Sequence, residues 1–147
     1  MSISVSRVGV CVSDLDRATR FWCDGLGFQP GARFEVGSEF AATLEVDAPI
    51  AVVSQFVSRD GLTIELLHYA TGSTAGRPSS ARNLLGFTHL SLLVDDVDAV
   101  AATLVEHGGT RLDPTRARME GAGGAVSDFV FVADPDGVRI ELMRLPG

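Results

Sequence analysis

Residues 3–12 alternate apolar with small or polar side chains and are rich in β-branched types, the period-two signature of a strand. Ser13-Asp14 then supplies a helix N-cap. Leu15, Ala18, Phe21, Trp22 and Leu26 recur at helical spacing until Gly25 and Gly27 stop the run. Strand-like stretches follow at 28–36 and 50–57, with 39–46 between them reading as a short helix or an irregular segment. Asp60-Gly61 signals a tight turn into a further strand at 62–69. Residues 70–83 are rich in Gly, Ser, Thr, Ala and Arg and read as a connector. The pattern then restarts. A strand at 86–94 leads to the cap Asp95-Asp96 and a helix carrying Val97, Val100, Ala101 and Leu104, stopped by Gly108-Gly109. A polar, Gly-containing excursion with room for a short strand covers 111–124. Alternation returns at 126–132, Pro135-Asp136-Gly137 turns, and 138–143 closes as a strand.

The restart is an internal repeat. Val8-Gly9-Val10-Cys11-Val12-Ser13-Asp14 aligns with Leu90-Ser91-Leu92-Leu93-Val94-Asp95-Asp96, a spacing of 82 from Val8 to Leu90. Asp60-Gly61-Leu62-Thr63-Ile64-Glu65-Leu66 aligns with Asp136-Gly137-Val138-Arg139-Ile140-Glu141-Leu142, a spacing of 76 from Asp60 to Asp136. Asp-Gly turns before apolar strands are common, which explains the turn but not the shared Ile-Glu-Leu. The repeat predicts a first module at 1–70, a linker at 71–84 and a second module at 85–147.

Composition narrows the function. At 147 residues and 46% hydrophobic, the chain can build one ordinary domain or two small modules sharing a core. A net charge of −7 argues against a nucleic-acid surface or an anionic membrane, both of which need clustered positive charge. Several arginines fall between Arg111 and Arg118, where either a solvated loop or a local anion-binding loop fits. Cys11 and Cys23 make no disulfide framework, no apolar run nears the roughly 20 residues of a membrane span, and the first residues lack a signal-peptide pattern. A cytoplasmic chain is expected.

The chemistry lies in three polar residues set among apolar ones. Glu65 sits between Ile64 and Leu66, Glu141 between Ile140 and Leu142, and His89 inside an apolar strand. A carboxylate in such a run costs several kcal/mol unless it is paired or ligates a metal. Alternation lets each point to one face while its neighbours point to the other. Two related modules facing each other across a pseudo-twofold axis would gather them into a Glu, Glu, His cluster. Other residues need no such role. His68 falls on the face opposite Glu65, His107 suits a helix C-terminus, and Cys11 is expected to be buried as a small hydrophobe.

Taken together, Val12-Ser13-Asp14-Leu15-Asp16-Arg17-Ala18, Phe21-Trp22, Leu26-Gly27-Phe28, Gly86-Phe87-Thr88-His89-Leu90, Val94-Asp95-Asp96-Val97-Asp98 and 134–142 give the chain a specific likeness. It resembles the vicinal oxygen chelate superfamily, which includes glyoxalase I, methylmalonyl-CoA epimerase, extradiol dioxygenases and bleomycin- or fosfomycin-resistance proteins. The resemblance implies an α+β fold of two tandem βαβββ modules forming a cupped eight-stranded mixed sheet, and a homodimer. It also implies a divalent metal (Zn, Ni, Mn, Fe or Co) held by Glu65, His89 and Glu141. Where family enzymes carry His or Gln opposite His89, this chain has Arg7. A guanidinium has no lone pair to give a metal.

Two outcomes stand open. Arg7 can swing aside, leaving Glu65, His89 and Glu141 to hold the ion while it binds a substrate oxyanion. Alternatively it replaces the ion by pairing with a glutamate. Repulsion between a guanidinium and a divalent ion at ~5 Å, about 6–7 kcal/mol at an effective dielectric of ~20, favours the pair. The resemblance implies an isomerase, epimerase or lyase acting on a small oxygenated metabolite. Glu141 or Glu65 would move a proton beside a carbonyl, with the metal or Arg7 stabilising the oxyanion. Ring-cleaving dioxygenase chemistry calls for two His ligands and is disfavoured. The alternative is a metal-free protein of the bleomycin-resistance type that binds or sequesters a small molecule.

Overall fold

A computed structural model describes residues 1–71 and 74–147; residues 72 and 73, which belong to the expected linker, lie outside the described residues. The chain separates into two compact units, Met1–Gly76 and Arg77–Gly147. Each has the order βαβββ, and the class is α+β with two tandem modules. The eight strands are held as two four-stranded mixed sheets.

The first unit runs β1 (Val8–Cys11), α1 (Leu15–Thr19), β2 (Gln29–Val36), β3 (Ala51–Arg59) and β4 (Leu62–Thr71), in the sheet order β1-β4-β3-β2. β1 lies parallel to β4, and β3 is antiparallel to both its neighbours. Asp14 caps α1 by accepting the Arg17 N–H at 2.8 Å. The helix continues as a π-helical segment, Arg20–Gly25, whose wider winding turns Phe21 and Trp22 fully inward. Trp22 meets the edges of Phe21 and Phe28 at centroid distances of 6.1 and 5.4 Å. These rings, with Leu15 and Ala18, cover the sheet face that carries Val57, Ile64 and Leu66. Gly27, at φ +71°, ends the helix, and a Cβ there would meet the Arg59 guanidinium that holds the Leu26 carbonyl.

The second unit repeats this with β5 (Leu90–Leu93), α2 (Val97–Glu106), β6 (Thr110–Glu120), β7 (Val126–Ala133) and β8 (Arg139–Arg144), in the order β5-β8-β7-β6. Asp96 caps α2 through the N–H groups of Asp98 and Ala99. Val97, Ala101 and Leu104 pack inward, and Val130, Val132, Ile140 and Leu142 are fully buried. The turns before the last strands differ by one residue. Asp60-Gly61 closes the first hairpin with positive φ at both positions, the geometry of a two-residue type I′ turn between paired Arg59 and Leu62. The second inserts Pro135, and Asp134 organises the wider loop by accepting the N–H groups of Asp136 and Val138 at 2.9 and 2.8 Å.

Three expectations about the elements change. β1 and β5 are four residues each, because their ladders begin at Val8↔Ile64 and Leu90↔Ile140; Ile3, Val5, Leu85 and Phe87 precede them and are exposed. The polar excursion after α2 is the 11-residue strand β6, an edge strand with Pro114 at its register break. Cys11 is exposed, not buried. Among the described residues no helix is long and apolar enough to cross a membrane.

Asp134 provides a test of the second loop. It is buried with Oδ2 lacking a partner, and burial pushes its carboxyl above the ordinary 3.8 against the pull of the Val138 and Asp136 N–H groups. A raised folded-state carboxyl favours the protonated native state. Its contribution is therefore best below 3.8 and worsens as pH rises through the folded value. Asp134→Asn keeps an acceptor and removes the charge. Urea unfolding of both proteins should show the variant gaining about 1 kcal/mol or more on wild type between acidic and neutral pH. A difference that does not change with pH would contradict this account.

Candidate functional site

Strand register sets Gly9 and Phe56 on either side of Glu65 in the first unit. Because Ile64 and Leu66 are buried on the helix side, Glu65 turns to the other face. Arg7, two residues before Gly9, reaches it there. Arg7 Nε donates to Glu65 Oε2 at 2.5 Å, and the guanidinium carbon stands 4.9 Å from the centre of the Phe56 ring. Ser54, two residues from Phe56 along β3, donates to Glu65 Oε1 at 2.5 Å. Both carboxylate oxygens are therefore engaged. The Arg7 side chain is 41% exposed and that of Glu65 15%.

The second unit repeats the frame with different chemistry. Ser91 and Phe131 flank Glu141 in register. His89, two residues before Ser91, meets Phe131 edge-on at 5.1 Å and 90°. Its Nε2 lies 3.5 Å from Glu141 Oε2, and its Nδ1 lies 2.8 Å from the Thr88 hydroxyl. Ser91 donates to the same Oε2 at 2.6 Å. Oε1 of Glu141 accepts no hydrogen bond from the described residues. When the Thr88 hydroxyl donates to Nδ1, the imidazole carries its proton on Nε2, facing the carboxylate.

Each candidate of the sequence thus stands on the same face of its own module: Arg7 with Glu65, His89 with Glu141. Phe56, Phe131, Ser54, Ser91 and Thr88 complete the two pairs and were missed. Ser91 was within reach, because alternation from His89 places it on the same face. Phe56 and Phe131 were harder to align, since Pro135 shifts the spacing of the preceding strands from 76 to 75.

The residues can be weighed against a divalent ion. In the first unit Glu65 has no free oxygen and its neighbour is a cation without lone pairs, which does not suit a metal. In the second, the 3.5 Å between His89 Nε2 and Glu141 Oε2 is close to the ~3.4 Å separating two ligands of a tetrahedral ion with bonds of about 2.0–2.1 Å. Two donors are too few for a structural or catalytic centre, which takes three or four. Among the described residues no three His, Cys, Asp or Glu side chains come together to hold an ion. Within either unit taken by itself, the donor set is too small for a resident metal.

Two of the arginines of 111–118, Arg111 and Arg116, are taken up in ion pairs, while Arg118 is 63% exposed and lies 3.5 Å from Asp128. Arg116 makes a forked pair with Asp98 at 2.7 and 3.2 Å and reaches buried Asp128 at 2.5 Å; Arg111 pairs with Asp98 and Asp113, each at 2.7 Å. Hydrogen bonds from Arg116 first and Arg111 next lower the Asp98 carboxyl to about 2. These guanidinium groups hold the edge strand to α2 and β7 and are already neutralised.

Comparison with known proteins follows the same outline. The model of the Glyoxalase/Bleomycin resistance protein/Dioxygenase superfamily matches residues 4–142. The chain is 28% identical over 154 residues to the 2-epi-5-epi-valiolone epimerase of an Actinomyces species, covering 99% of this chain and 81% of that protein. It is 32% identical over 133 residues to a probable lactoylglutathione lyase of Vibrio parahaemolyticus, covering 90% and 84%. A glyoxalase family protein from Bacillus cereus has the same fold, with a TM-score of 0.79 at 21% identity over 100% of this chain and 97% of that one. So does the fosfomycin resistance protein of Listeria monocytogenes solved with Mn(II) and sulfate, with a TM-score of 0.59 at 16% identity over 98% and 93%.

The stability carried by the Arg7–Glu65 pair is small. With the guanidinium 41% exposed, solvent screening holds the pair to about 1 kcal/mol or less. Truncating fully buried Trp22 should cost about 3–5 kcal/mol. Urea denaturation of Arg7→Ala and Trp22→Ala should show this contrast, and a loss at Arg7 rivalling that at Trp22 would give Arg7 a structural role instead.

Proposed function

We propose that this chain, which belongs to the Glyoxalase/Bleomycin resistance protein/Dioxygenase superfamily, is an isomerase- or lyase-type enzyme that moves a proton at a carbon next to a carbonyl of a small oxygenated metabolite. Glu141 is the base. The observation that supports this is the state of its carboxylate: Oε2 is anchored by Ser91, while Oε1 accepts nothing from the described residues. A base needs a fixed orientation and a free lone pair, and Glu141 has both. Glu65 already accepts a hydrogen bond on each oxygen, one of them from a guanidinium, which makes it the weaker base of the two.

The step assigned to these residues is a proton transfer. Oε1 of Glu141 takes the proton from carbon, and the electrons of that bond move toward the carbonyl oxygen as an enolate. The protonated carboxyl then returns the proton to carbon, giving an epimer or isomer, or the enolate expels a neighbouring group. His89, beside the same carboxylate, offers Nε2–H to an oxygen of the ligand. Relatives named as an epimerase and as a probable lactoylglutathione lyase agree with this class of chemistry. The homodimer is part of the proposal, and exposed Ile3 and Val5, matched 82 residues on by exposed Leu85 and Phe87, are apolar groups for it to cover.

A metal-free binding protein is the second reading, favoured by the full engagement of Glu65 with Arg7 and Ser54. Carbon-bound proton exchange separates the two. In D2O, wild type should exchange the proton beside the carbonyl in at least one of a panel of hydroxyketones, aldehyde–thiol adducts and acyl thioesters, read by proton NMR. Glu141→Gln should lower that rate by about a hundredfold or more. Wild type that binds a panel member without exchanging its proton would favour the binding protein.

A further inference from the structure

The duplicated fold places the same question to two different side chains. Arg7 and His89 both stand two residues before the first-strand partner of a glutamate, and both lie against the aromatic ring on the glutamate's other side. In the second unit an imidazole meets a carboxylate, and both carry lone pairs. In the first, the imidazole's place is taken by a group with five N–H donors and no acceptor. The register, the ring and the glutamate are retained. What differs is the sign of the ligand that the position can take.

Three contacts fix the Arg7 pose: Nε on Glu65, the guanidinium over Phe56, and a 3.3 Å contact from Nη1 to the exposed Ser6 hydroxyl. Nη2 has no acceptor among the described residues. Because Glu65 is bound through Nε, the end of the guanidinium formed by Nη1 and Nη2 is left for another partner. That end is the fork which matches a carboxylate in two parallel hydrogen bonds. The side chain is exposed enough to be reached and adds little to stability.

We propose that Arg7 makes the first module an anion-binding subsite: its guanidinium holds the place at Glu65 that a divalent cation would otherwise take, and presents its Nη1 and Nη2 fork to a carboxylate of a ligand. Glu65 and Phe56 act as positioning residues for that fork. The inference stands on the first module and does not depend on Glu141 being a base.

Calorimetric titration tests both halves. In metal-free buffer, oxalate is the probe: wild type binds at millimolar concentration, and Arg7→Met, which keeps the apolar stem over Phe56, loses affinity by about tenfold or more. No binding by wild type, or equal binding by Arg7→Met, overturns the anion subsite. With Zn(II) and no oxalate, Glu65→Gln binds as wild type does, because Glu65 is already occupied. Arg7→His should bind Zn(II) about tenfold or more tightly, by recreating the imidazole–carboxylate pair of the second module. Combining Arg7→His with Glu65→Gln should abolish that gain. A fall in wild-type Zn(II) affinity on Glu65→Gln, or no gain from Arg7→His, overturns the replacement. Circular dichroism and urea unfolding of each variant confirm that the fold being titrated is the native one.

Discussion

A glutamate between two buried aliphatic residues of a strand has one place to go. Ile64 and Leu66, or Ile140 and Leu142, are committed to the helix-covered face by the apolar area they bury, and the two-residue period of the backbone turns the carboxylate to the other. A one-residue slip would bury the charge and expose both aliphatic groups, so register and chemistry are locked by the same alternation. From that constraint follow the rest of the site's positions. The parallel neighbour delivers Arg7 or His89, and the antiparallel neighbour delivers Phe56 or Phe131.

Within this shared frame the modules differ in how they satisfy the carboxylate. The first closes it: a hydroxyl on one oxygen, a guanidinium on the other, and an aromatic ring against the cation. The second leaves it open on one oxygen and sets an imidazole beside the other. Closure removes a charge that would otherwise seek a cation. Openness leaves an oxygen of the carboxylate for a ligand. Duplication allows the two arrangements to coexist without altering the scaffold that carries either.

Much of this was legible in the chain. The Asp-Gly-x-x-Ile-Glu-Leu repeat announced a duplicated module, because turn chemistry and strand alternation are local properties, and the family resemblance supplied its βαβββ order. Arg7, Glu65, His89 and Glu141 stood out because each breaks an apolar run or an expected pattern. Less legible was anything set by pairing between distant strands. Ser54 and the two phenylalanines read as ordinary strand residues until register brings them to a glutamate. β6 read as an excursion because its arginines look solvated, whereas Asp98, Asp113 and Asp128 neutralise them from three other positions. Cys11 was misjudged because its strand is a short edge, with less cover than its apolar neighbours suggest.

The equivalence of Arg7 and His89 has a consequence at the level of the gene. Arginine codons CGU and CGC become histidine codons by a single transition, so the two chemistries are neighbours in mutational space as well as in the fold. A lineage carrying this scaffold can exchange an imidazole for a guanidinium beside the glutamate in one step, at a half-exposed position where the exchange disturbs little else. Duplication lets one half make that step while the other keeps its imidazole, and the pair of sites in this chain has the form such a history would leave.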